Sequence, residues 1–136
     1  MRAAAVVLAT SSVLALAGCT QSTKTSTSKF SGESKAVAQK VADLASDGQG
    51  KKAAEICGSV VAGALRDQIA AAGSSCAEEM KKAIDDADGF DLEVTDVSVT
   101  GAKATAKVKG TSGGKDVIRT FSFVREAGGW RISAFG

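Results

Sequence analysis

The sequence predicts an α+β domain: helices first, then a four-stranded antiparallel meander. Three observations point there. Apolar residues between Val37 and Ala87 recur at spacings of three and four, as on one face of a helix. From Phe90 onward they alternate at a period of two, as on one face of a strand. Glycine-bearing turn segments separate the alternating runs. Helices laid on one apolar face of such a sheet make a two-layer domain.

Three helical patterns precede the sheet. Val37, Val41 and Leu44 form the stripe of the first, which is expected to stop at Asp47-Gly48 with Gly48 as a left-handed cap. The second runs from about Lys51 to Gly73 and carries Ile56, Val60, Val61, Leu65 and Ile69. Gly58 and Gly63 weaken it and predict two pieces with a bend. The third begins with Ser75 and Glu78 at capping-box spacing and presents Cys76, Met80, Ala83, Ile84 and Ala87 on one face, read as core.

Turn chemistry sets an expected register. A two-residue turn at Ala127-Gly128 pairs Arg125 with Trp130 and puts Phe121 and Phe123 on the face of Trp130, Ile132 and Ala134. A four-residue loop over Thr111–Gly114 pairs Gly110 with Lys115, so that Ala106 faces Arg119 and Ala104 faces Phe121. A turn at Thr100-Gly101 then pairs Val99 with Ala102. The apolar parity changes between Val94 and Val97, which calls for a β-bulge near Thr95-Asp96.

The N-terminus reads differently. Arg2, an apolar run from Ala3 to Ala17 and small residues before Cys19 are secretory features, and the run is too short for a good transmembrane helix. Leu16-Ala17-Gly18-Cys19 resembles the lipobox of bacterial lipoproteins. The resemblance implies removal of residues 1–18, a diacylglycerol on Cys19 and attachment to the outer face of the cell membrane. Residues 19–34, rich in Ser and Thr, are expected to be a tether, with the folded domain at 35–136. Two cysteines remain, Cys57 and Cys76, and outside the cytoplasm an even pair reads as a disulfide.

Composition narrows the function. The chain holds 17 basic residues, Arg2 among them, against 15 acidic ones, so it lacks the basic excess of a nucleic-acid binder. It has no histidine and no tyrosine, which removes the commonest general base and zinc ligand. The acids Asp85, Asp86, Asp88, Asp91, Glu93 and Asp96 read as a solvated face, and Asp-Asp-Ala-Asp-Gly lacks EF-hand spacing. No metal, cofactor or catalytic group is expected.

Three helices followed by a meander ending in Gly128-Gly129-Trp130-Arg131-Ile132 resemble the nuclear transport factor 2-like superfamily, a cone-shaped α+β fold. Leu44-Ala45-Ser46-Asp47-Gly48, Cys57 and Cys76, together with the lipobox, resemble small secreted lipoproteins of actinobacteria. The superfamily includes isomerases, dehydratases and polyketide cyclases with Asp or His in the cone and Tyr, Asp or His partners. The missing Tyr and His turn the expectation towards a non-catalytic envelope interaction module.

The alternative is a receptor or carrier for a small lipid-like ligand, hydrophobic or anionic. Its pocket candidates are Phe121, Phe123 and Trp130, with Arg119 as the head-group reader. The expected register buries Arg119, where a guanidinium needs a partner: an internal carboxylate such as Asp85 or Asp88, or a ligand anion. A partner protein is suggested by charge polarity, since acids dominate residues 75–100 and bases dominate residues 101–136.

Overall fold

A computed structural model describes residues 27–136. The signal segment, Cys19 and the tether up to residue 26 lie outside the described residues. The domain is α+β, with four helices and an open four-stranded antiparallel sheet.

Helix α1 spans Gly32–Gln49, so residues 32–34, expected in the tether, are helical. Phe30, just ahead of it, packs against the core. Val37, Ala38, Val41, Leu44, Ala45 and Gly48 form its buried stripe. The expected Gly48 cap is corrected: Gly48 is still helical, the C-cap is Gly50, and Lys51 takes the left-handed backbone at φ 54.

The second pattern breaks into two helices, which raises the expected three to four. Helix α2, Ala53–Glu55, runs straight into a π-helical turn at Ile56–Val60, and helix α3 spans Gly63–Ala72. The wider turn points Ile56, Cys57 and Val60 inward. The Ala62 amide then leaves the helical ladder to donate to the Ile132 carbonyl at 2.8 Å, so this short link runs alongside the last strand. The Gly58 carbonyl in turn accepts from Arg131 Nη1 at 2.8 Å. Helix α4, Cys76–Asp86, starts with the expected capping box: Ser75 Oγ accepts from the Glu78 amide, and the Glu78 carboxylate accepts from the Ser75 amide.

The strands are β1 Glu93–Thr100, β2 Lys103–Ser112, β3 Lys115–Glu126 and β4 Gly129–Ala134, in the order β1-β2-β3-β4. The bulge falls between Val94 and Asp96, where the parity change placed it. Two turns differ from the expected ones: the first is tighter, and the second keeps two residues but moves along by one. Gly113 and Gly114, at φ 58 and 73, close a two-residue turn, so Ser112 pairs with Lys115. Gly101, at φ 59, and Ala102 close another, so Thr100 pairs with Lys103. Both registers therefore slip by two from the expected ones, which changes the partner but not the face. Ala106 lies opposite Phe121, Ala104 opposite Phe123, and Arg119 opposite Val108 rather than Ala106.

Helices and sheet meet in one core. Val37, Val41, Ile56, Val60, Val61, Val94, Val108, Phe123 and Ile132 are its largest fully buried side chains. The Cys57–Cys76 disulfide, with Cα atoms 6.2 Å apart, ties the π turn to the start of α4.

Candidate functional site

Helix α4 is covered on only part of its apolar face. Cys76, Met80 and Ile84 are buried, whereas Ala83 and Ala87, expected on the same stripe, are exposed. In front of them lies a cavity of about 410 Å³. Leu44 of α1 and Ile69 of α3 form its inner wall with Met80 and Ile84, and Phe90, Leu92, Phe121 and Phe135 bring the sheet side to it. Its size falls within the range of small-molecule sites.

Phe121 and Phe135 meet edge to face, with ring centroids 5.3 Å apart. A second bulge makes this contact. The pairing of β3 with β4 shifts between Ser122 and Phe123, so Ala134 lies opposite Ser122 instead of Phe121. Phe135 then falls beside Phe121 on the helix side. It remains 41% exposed and forms part of the outer wall.

The expected pocket residues separate. Phe121 lines the cavity; Phe123 and Trp130, 1% and 4% exposed, fill the core elsewhere. Arg119 is corrected. It is exposed, it meets neither Asp85 nor Asp88, and its Nη1 donates to the Gly136 carbonyl at 3.3 Å. The side chain leaves the helix-facing side of the sheet and carries its charge to solvent.

Among the described residues, the one ionisable side chain on the cavity wall is Glu79. Its Oε1 accepts from Lys82 Nζ at 2.8 Å and from Ser74 Oγ at 3.1 Å. Those hydrogen bonds, the Lys82 one foremost, hold its carboxyl below the ordinary value and keep it ionised at neutral pH.

A second polar cluster sits at the start of α1. Trp130 Nε1 donates to Glu33 Oε2 at 2.6 Å, Arg125 pairs with the same carboxylate, and the Arg125 guanidinium stacks 4.8 Å from the indole centroid. The indole hydrogen bond, more than the guanidinium, lowers the Glu33 pKa.

The acids read as a solvated face are all exposed. Among them, Asp85 pairs with Lys51 and Lys81, and Asp88 accepts from the Gly113 amide. Among the described residues, no group of three or more His, Cys, Asp or Glu side chains stands ready to hold a metal ion. Among them, too, no helix is long and apolar enough to cross a membrane.

The sequence reading missed Phe135, Phe90, Leu92 and Ile69 as wall residues. Their apolar character was visible, but which apolar residues stay uncovered depends on where α4 lies on the sheet. Comparison with protein-family models, with curated proteins and with solved structures returns no match.

Proposed function

We propose that this chain is a lipid-anchored extracytoplasmic domain, non-catalytic and of the nuclear transport factor 2-like kind, that carries a small hydrophobic molecule in the cavity against α4. The observation that supports it is the uncovered apolar wall. Residues at helical spacing on α4, with aromatic side chains from the sheet, line about 410 Å³ that no side chain among the described residues fills. An open apolar wall of this size can take a small apolar molecule, which a core closed over by its own side chains cannot. This favours the carrier over the interaction module. The anchor rests on the lipobox-like Leu16–Cys19 and on an oxidised Cys57–Cys76 pair, a bond that persists outside the reducing cytoplasm. Two acyl chains on Cys19 hold a protein stably to a membrane.

Native mass spectrometry of the protein isolated from its own membranes tests both parts. The expected result is a diacylglyceryl-modified Cys19 and a bound apolar molecule. Ala83→Phe, which places a ring in the cavity from an exposed helix position, should reduce binding of a neutral fluorescent naphthylamine probe by about tenfold or more, the cost of blocking a hydrophobic site. An unmodified Cys19 at the mature N-terminus overturns the anchor. Absence of a bound molecule together with no probe binding overturns the carrier.

A further inference from the structure

We infer that the cavity selects uncharged apolar molecules, such as a long-chain alcohol or ester, over carboxylate-headed ones of the same length. This rests on the carrier reading above and gives it a ligand class.

The argument is the charge around the opening. The walls are hydrocarbon, so a chain enters without polar cost, and the ligand's head decides the rest. Among the described residues, the wall's one ionisable group is the Glu79 carboxylate. The last turns of α4 line the cavity through Ala83, Ile84 and Ala87, and no basic residue stands in its last turn to offset the carbonyl end of the helix. Asp86 lies in that same turn and Asp88 just beyond it. A ligand carboxylate placed here gives up water against a hydrocarbon wall and faces the acidic side chains and end carbonyls of α4.

The cations nearby are already paired with the acids of α4, Lys51 and Lys81 both with Asp85 in its last turn. Lys82 Nζ holds Glu79 at 2.8 Å. Arg119, two residues from Phe121 along β3, is not part of the wall and donates to the Gly136 carbonyl. An uncharged head avoids the repulsion, and a hydroxyl can donate to the carbonyls or the carboxylate that repel an anion. The head-group role expected of Arg119 is thus replaced by selection from the opposite charge.

The experiment is displacement of N-phenyl-1-naphthylamine from the full mature chain at neutral pH and below micelle-forming concentrations. Dodecanol, methyl dodecanoate and dodecanoate serve as competitors. The alcohol and ester should displace the probe at concentrations about tenfold lower than the acid. Glu79→Gln, checked for an unchanged urea midpoint, should shrink that ratio several-fold, whereas Arg119→Gln should leave it unchanged. Dodecanoate competing as well as the alcohol overturns the inference. So does a preference for uncharged competitors that Glu79→Gln leaves intact, since that reports only the lipophilicity of the compounds. Loss of acid binding in Arg119→Gln restores the head-group role and also overturns it. If the wild-type chain binds no probe at all, the carrier reading itself fails.

Discussion

Gly48 shows how one residue type serves unrelated ends. In the sequence it stands after Asp47 like a helix cap, yet it lies inside α1, and a Cβ there would run into the Phe90 ring. Alanine is favoured over glycine in a helix interior by about 1 kcal/mol, while overpacking a core costs about 1–3 kcal/mol. The second effect should win because the Cβ would meet three atoms of the Phe90 ring, Cγ nearest its backbone among them, and not the free tip of a flexible side chain. Gly48→Ala is expected to lower stability by about 1 kcal/mol in urea unfolding. A stabilised variant would mean that the ring moves aside freely. Arg119 carries the opposite lesson. Its parity along β3 was legible, but where a long side chain takes its charge is decided by what lies at the sheet's end, here the Gly136 carbonyl.

At the scale of elements, legibility followed the strength of the local signal. The capping box of α4 and the bulge near Thr95 each have a sequence mark, Ser75 with Glu78 and the parity change after Val94. The two hairpin registers did not, because Thr111-Ser112-Gly113-Gly114 is compatible with a loop of two residues or of four. The structure takes the tighter turn because both glycines accept positive φ and two more pairs form, Thr111 with Asp116 and Ser112 with Lys115. The bulge that sends Phe135 to the cavity has no mark at all, since Ser133 and Ala134 suit either face. The π turn is similar: Gly58 signalled weakness, and only the tertiary bonds of Ala62 to Ile132 and of Arg131 to Gly58 select the form it takes. The disulfide leaves from this turn and closes a loop with a sequence separation of 19. Loop entropy then predicts a loss of about 3 kcal/mol on reduction, read as a lower urea midpoint with reductant present. An unchanged midpoint would show that the α2–α4 link holds without it.

At the scale of the whole molecule, the two polar and apolar sites stand far apart along α1. Glu33, in its first turn, belongs to the Trp130–Arg125 cluster, and Leu44 belongs to the cavity wall. Eleven residues of helix separate them, a rise of about 16 Å. The chain from the proposed anchor therefore arrives at one end of the domain, and the cavity lies towards the other. Glu33 fastens that arrival point to the β3–β4 hairpin, through the indole N–H and the Arg125 guanidinium. Because its pKa is lowered in the fold, its contribution to stability is present above the ordinary value of 4.5 and is lost as pH falls through the lower folded value. Trp130 is the chain's only tryptophan, so its fluorescence reports the step directly. Emission should change as pH falls below the ordinary carboxylate range, while the domain is still folded by far-ultraviolet circular dichroism. Glu33→Gln, which keeps an acceptor but cannot titrate, should abolish that change and leave the indole environment near that of the neutral-pH protein. Arg125→Met should keep the step and move it to higher pH, since one of the groups holding the carboxylate ionised is gone while the stronger indole bond remains. A fluorescence step that survives Glu33→Gln would assign it to another acid, and the clamp at the base of α1 would not be the pH-sensitive joint of the molecule.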